Sequence, residues 1–200
     1  MNQELRWSLP DDCRGLIFDC DGTLVDSMPL HYKAFLAVLP RHNLHLTEDR
    51  FYEWAGTPVD EVVRRLTAER GLSVNAQAIA QERDDYFHSL PASALQPVDA
   101  VVEIARRYHR RLPMAVATGS TRASAETSLL AIGVLDLFDA VISSHDAGRP
   151  KPAPDVFLTA ARHIAIDPAH CVAFEDGDVG IRAAQAAGMR VIDIRPWLKR

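Results

Sequence analysis

The chain has 200 residues, 48% of them hydrophobic, with a formal net charge of −5. That length suits one ordinary domain or a domain with a small insertion, and it buries roughly 70% of its unfolded surface, so neither a disulfide framework nor a structural metal is needed to hold a core. The negative balance gives no general attraction to nucleic acid or an anionic membrane, and no run approaches the ~20 apolar residues of a membrane span.

The N-terminus, M-N-Q-E-L-R-W-S-L-P-D-D, has no apolar leader, so a cytoplasmic protein is expected. Cys13, Cys20 and Cys171 are odd in number and unclustered, and read as small core thiols in a reducing compartment. G15-L-I-F18 is the first predicted strand. From 28 to 92 no strand is visible, and helical stripes take over: Tyr32, Phe35, Leu36, Leu39, then Val59, Val62, Val63, Leu66. Thr57 and Pro58 predict the start of the second stripe, with a capping hydroxyl and a proline in the first turn. A further helix is predicted over 75–89, and the chain returns near 91–97.

Beyond this stretch strands and helices alternate. Val98, Val101, Val102 and Ala105 mark a helix whose end carries Arg106, Arg107, Arg110 and Arg111, charges that suit the dipole there. Near-continuous apolar runs at 114–118, 140–143, 171–174 and 190–194 have the length and character of strands buried on both faces. Phe157, Ala160, Ala161 and Ile164 mark another helix, with Pro154 expected in its first turn. The alternation implies βαβ units and a parallel sheet, an α/β fold.

In such sheets functional groups collect at the carboxyl ends of the strands. Those ends carry Asp19-Cys20-Asp21-Gly22-Thr23, Thr118-Gly119-Ser120, Lys151 between two prolines, and Glu175-Asp176-Gly177. Strand alternation places Asp19 and Asp21 on one side, and with Asp176 they make a hard oxygen site suited to Mg²⁺. Thr118 and Ser120 offer hydrogen bonds to phosphoryl oxygens, Lys151 a point charge, and Gly22 and Gly119 close backbone approach to an anion. Phosphoryl transfer is the chemistry that needs this set. An ionised carboxylate at Asp19 can attack phosphorus, and Asp21 can act as acid and then base if it begins protonated. Negative neighbours would raise Asp21, and a metal would oppose that rise. Taken singly, each string also fits a turn, a surface loop or a helix start; four strand ends together are not explained that way.

D19-C-D-G-T-L-V-D-S27, A117-T-G-S120, Lys151 in K-P-A-P-D155 and F174-E-D-G-D-V-G180 resemble the four motifs of the haloacid dehalogenase-like superfamily over essentially the whole chain. The helical insertion resembles the small cap of the subfamily that holds β-phosphoglucomutases and sugar-phosphate phosphatases. The resemblance implies a Rossmann-like five-stranded sheet of order 3-2-1-4-5, a core domain of 1–27 and 93–200, and a cap domain of 28–92. It implies Asp19 as nucleophile and metal ligand, and Asp21 as general acid/base holding the metal through its backbone carbonyl. Thr118 and Lys151 would hold the phosphoryl group, and Asp176 with Glu175 would bind Mg²⁺. Gly22, Thr23, His31, Gly56, Gly119 and Ser120 would line the substrate site.

Asp21 sets dehalogenation aside, and the position of Lys33, the one lysine within 28–92, does not match phosphonate hydrolysis. His31 matches a histidine of the mutases; it lies beside the Tyr32/Phe35 stripe, open to a cleft-facing or a solvated role. Ala55 and Val59 stand where the mutases carry basic residues, so the second phosphate of a bisphosphate has no holder. The A55-G-T-P58 loop looks like that of bacterial fructose-1-phosphate phosphatases, and Gly177 replaces a small hydroxyl residue common in the subfamily. The expectation is a monomeric Mg²⁺-dependent hydrolase of a small phosphate ester such as a hexose phosphate, with no nucleic-acid or membrane partner. The alternatives are a β-phosphoglucomutase-type transfer and a phospho-accepting signalling module.

Overall fold

A computed structural model describes residues 9–198. The leaderless reading of the N-terminus falls largely on residues 1–8, outside the described residues. In chain order the elements are β1 (Gly15–Phe18), β2 (Val25–Asp26), α1 (Met28–Val38), α2 (Glu48–Glu53), α3 (Val59–Glu69), α4 (Ala76–Ser89), β3 (Gln96–Pro97) and α5 (Asp99–Tyr108). They continue with β4 (Met114–Ala117), α6 (Arg122–Ala131), β5 (Ala140–Ile142), α7 (Asp155–His163), β6 (Cys171–Glu175), α8 (Asp178–Ala186) and β7 (Arg190–Asp193). Among the described residues no helix is long and apolar enough to cross a membrane.

Five strands form one parallel sheet in the order β5-β4-β1-β6-β7, the expected 3-2-1-4-5 arrangement of the core strands. Every residue of β1, β4 and β6 is buried, because helices cover both faces. Side chains alternate between two cores. Leu16, Phe18, Val116 and Phe174 join the cluster that includes α5 and α6, and Ile17, Ala115 and Ala173 join the one that includes α7 and α8. Phe18 lies opposite Phe174 in register, and their rings stack with centroids 4.6 Å apart. Strand β1 is flanked by β4 on one side and β6 on the other, so the loops at their carboxyl ends diverge and open a crevice.

Helices α1, α3 and α4 pack on one another around a separate cluster that includes Phe35, Val38, Phe51, Val63, Leu66 and Ile79. The two chain crossings into and out of this segment pair as the antiparallel strands β2 and β3, Val25 opposite Pro97 and Asp26 opposite Gln96. Two residues carry no readable period, and one of them is proline, so this ribbon has no sequence signal.

Three local expectations need correction. The buried face of α1 is Met28, His31, Phe35 and Val38, whereas Leu36 is 52% exposed. That places His31 in the stripe, because the helix packs against α4 and also covers the crevice, and apolarity alone does not register the second contact. Pro58 is the residue before α3, not part of its first turn, and no side chain caps that helix; Glu61 and Val62 N–H groups bond the Pro58 carbonyl at 3.0 Å. Pro154 likewise precedes α7. Elsewhere the reading holds: the helix expected over 75–89 forms as α4, the three cysteines are buried and free, and Arg106 and Arg107 end α5 exposed; the structure adds that Asn75 caps α4 through the Ala78 N–H at 3.1 Å.

Candidate active site

The ends of β1 and β6 are locked together by the Asp19 N–H, which donates to the Phe174 carbonyl at 3.0 Å. This brings Asp19, Glu175 and Asp176 into one group, with an oxygen of each within 4.8 Å of the others and all three residues buried. Lys151, from the loop between β5 and α7, enters the same group. Its Nζ donates to Asp19 Oδ1 at 2.6 Å and Glu175 Oε1 at 2.7 Å, and the residue is 3% exposed. Burial pushes the Asp19 carboxyl well above its usual range; Lys151 opposes this, and Glu175 and Asp176 add to it. Burial would also discharge Lys151, but Asp19 and Glu175 prevail and hold its ammonium charged. Among the described residues, one ammonium bonds two of these three buried carboxylates. Hard oxygen donors in that state fit a divalent cation such as Mg²⁺.

The backbone around this group is built to admit carboxylates. Gly22 has φ +88°, and a Cβ there would sit 2.3 Å from Asp176 Oδ2. Thr23 is fully buried and donates to Asp176 Oδ1 at 3.0 Å. Gly22 and Thr23 therefore hold an acidic side chain instead of lining the substrate site as expected. Glu175 lies over the first turn of α8, where its Oε2 accepts the Gly177 N–H at 2.8 Å. A Cβ on Gly180 would fall 1.6 Å from Glu175 Oε1. Gly180→Ala is therefore expected to unseat Glu175 and to cost about 1–3 kcal/mol as overpacking, several degrees of melting temperature. An unchanged thermal transition would show that Glu175 is not seated there. A Cβ on Gly177 would meet Ala55 atoms at 3.5 and 3.6 Å, so its lost hydroxyl faces the helical segment; Asp176 leans on Thr23.

Asp21 does not join the acidic group through its side chain. The chain turns at Cys20, whose carbonyl accepts the Leu24 N–H at 2.9 Å, so strand alternation no longer governs residue 21. Its carboxylate instead accepts from Ser120 Oγ at 2.6 Å, Ser27 Oγ at 2.7 Å and His31 Nε2 at 2.8 Å. Burial would raise Asp21, but His31, Ser120 and Ser27 outweigh it and hold the carboxyl below its usual range. The sequence leaves the sense of this shift open, and the hydrogen bonds set it downward. Burial, together with Arg83, lowers His31 against the pull of Asp21, so the imidazole is neutral. Arg83 donates to His31 Nδ1 and to the His31 carbonyl, which leaves the ring proton on Nε2, facing Asp21.

Arg83 was not visible in the sequence. It lies 52 positions from His31, on α4, and it is 2% exposed, bonded to Asp84 and set over the Phe35 and Phe87 rings. Of the other expected residues, Thr118 is buried and its Oγ1 accepts the Ser120 N–H at 3.0 Å. Ser120 Oγ, expected to face phosphate, is committed to Asp21. A Cβ on Gly119 would lie 2.7 Å from the Gly56 carbonyl oxygen, so the loop after α2 rests directly on the loop after β4. Asp19, Asp21, His31, Thr118 and Ser120 line one cavity with Gly56 and Gly119, between the sheet edge and the helical segment.

The model of the haloacid dehalogenase-like hydrolase family matches residues 16–194. The chain belongs to that family. Within it, the chain is 37% identical over 181 residues to the fructose-1-phosphate phosphatase YqaB of Escherichia coli K12, covering 90% of this chain and 96% of that protein. It is 26% identical to the β-phosphoglucomutase of Bacillus subtilis 168, over 90% of this chain and 83% of that protein, and 26% identical to the protein CbbY of Rhodobacter capsulatus, over 90% of this chain and 85% of that protein. The fold is shared with the crystal structure of CbbY from Rhodobacter sphaeroides in complex with phosphate, at TM-score 0.79 and 24% identity, over 90% of this chain and 85% of that one.

Proposed function

We propose that the protein is a Mg²⁺-dependent phosphatase of small sugar phosphates that works through an aspartyl phosphate on Asp19. The observation that carries this reading is the convergence of Asp19, Lys151, Glu175 and Asp176 in one buried group, opposite an Asp21 held by hydrogen bonds. Asp19, Glu175 and Asp176 would hold the cation, with the Asp21 carbonyl as a further donor. Bound there, Mg²⁺ supplies charge neutralisation for the phosphoryl oxygens. Residues 28–92 act as the cap that closes over the substrate, and one chain contributes every group.

In the first step an Asp19 oxygen attacks phosphorus, the bond from phosphorus to the alcohol oxygen breaks, and Asp21 gives the leaving alkoxide its proton. The phosphate's own negative charge, brought beside Asp21, favours the protonated form this step needs. In the second step water attacks the phosphorus of the acyl phosphate, its proton passes to Asp21, and phosphate leaves with Asp19 restored. Lys151 and Thr118 hold the phosphoryl group. His31, kept as the Nε2–H tautomer by Arg83, orients Asp21. Arg83→Met is therefore expected to lower kcat/KM about 10²-fold, the scale of a misplaced group, while the fold persists. Full activity in a folded variant would remove Arg83 from this role.

Hydrolysis is favoured over mutase chemistry by the cavity. Ala55 and Val59 line it, and among the described lining residues Arg83 is the one Lys or Arg, already engaged by His31 and Asp84. The higher identity to a phosphatase than to a mutase supports the same choice. The test is phosphate release from a panel of hexose phosphates with and without Mg²⁺, beside an isomer-interconversion assay with a bisphosphate activator. Metal-dependent release is expected; interconversion without release would overturn the reading.

A further inference from the structure

The Arg83 side chain has three nitrogens, and the fold engages two of them. Nη2 bonds His31, and Nη1 donates to Asp84 Oδ1 at 2.7 Å. Among the described residues, Nε is the one buried side-chain nitrogen or oxygen with no hydrogen-bond partner. A buried donor left unpaired is costly, and in a native fold such an atom has a reason. The position of Arg83 supplies one. It lines the cavity with Asp19, Asp21, His31 and Thr57, so the residue with the spare donor borders the space that a phosphate ester enters. The Phe35 and Phe87 rings, 4.8 and 5.3 Å from its Cζ, fix the guanidinium in place.

The charge of that guanidinium, unlike its Nε–H, is already matched. Asp84 pairs with it directly, and Asp21 stands on the far side of the His31 ring. A neutral oxygen brought to Nε gains a hydrogen bond to a charged donor. A carboxylate or a second phosphate brought there also meets two carboxylates. We propose, resting on the phosphatase reading above, that Arg83 Nε–H reads the substrate: the enzyme selects phosphate monoesters whose organic part is uncharged and offers this N–H a hydroxyl or carbonyl oxygen. Phosphates of polyols and neutral sugars satisfy both conditions. Alkyl phosphates lack the oxygen, and phosphorylated sugar acids carry the wrong charge.

Three esters of the same six-carbon chain separate these conditions: sorbitol 6-phosphate, n-hexyl phosphate and 6-phosphogluconate. Their kcat/KM values are compared in wild type, Arg83→Met and Asp84→Asn, with melting curves recorded on each. Wild type is expected to favour the sorbitol ester over the hexyl ester by about 10–10²-fold, the worth of a hydrogen bond to a charged donor. It should favour the sorbitol ester over 6-phosphogluconate by about tenfold or more. Arg83→Met should slow all three esters and also cut the sorbitol-to-hexyl ratio about tenfold. A purely positioning role would slow the two esters alike and leave their ratio unchanged. Asp84→Asn should narrow the gap between 6-phosphogluconate and the sorbitol ester. Equal hydrolysis of the sorbitol and hexyl esters by wild type overturns the inference and leaves the phosphatase reading intact. An unchanged ratio in folded Arg83→Met shows that Nε serves solvent and not substrate, and overturns it too. A wild-type preference for 6-phosphogluconate overturns the requirement for an uncharged ester. Release of phosphate from none of these esters, nor from any hexose phosphate in the panel, sinks the phosphatase reading and this inference with it.

Discussion

Asp19→Asn is expected to lower phosphate release at least about 10⁴-fold, the scale seen when a nucleophile is removed, without loss of folded protein. The two halves of this result come from one geometry. The amide is isosteric but has no anionic oxygen to attack phosphorus, so the covalent route closes. The same change removes one of the two buried carboxylates bonded to the Lys151 ammonium, and burial already disfavours the ionised form of Asp19. In EDTA the variant should therefore unfold at the same or a higher denaturant midpoint than wild type. Turnover within tenfold of wild type would show that Asp19 is not the nucleophile.

Lys151→Met should act in the opposite sense on stability. Nζ is the partner shared by Asp19 and Glu175, at 2.6 and 2.7 Å, and the apolar stem of the new side chain fills the volume without the charge. Breaking a buried pair from one side typically costs about 3–5 kcal/mol, because the remaining charge is left uncompensated. That loss should be seen by urea denaturation in EDTA and recovered in part by millimolar Mg²⁺, which binds only the folded chain. Activity should fall about 10²–10³-fold, as when a charge-stabilising donor is removed. A midpoint in EDTA equal to that of wild type would mean that Lys151 does not neutralise the acidic group.

The sheet was legible because each core strand is an apolar run buried on both faces, and because the loop motifs stand directly after those runs. The site at the carboxyl ends followed from the parallel sheet, and the order of strands came with the family resemblance. What was not legible depends on contacts between distant segments. Asp21 reads as a partner of Asp19 by strand alternation, but the turn at Cys20 redirects it toward Ser27, His31 and Ser120. Thr23 reads as a substrate contact and is in fact committed to an acidic side chain 153 positions away. Arg83 has no local pattern at all; its burial is fixed by α1 packing on α4. The requirement for glycine at 180 shows only when Glu175 is placed over α8.

The touch between the Gly56 carbonyl and Gly119 also limits how large a customer the enzyme can serve. On the phosphatase reading, the two backbones in contact form a narrow mouth, and the expected customer is a free small molecule taken in whole rather than a phosphate carried on the surface of another macromolecule.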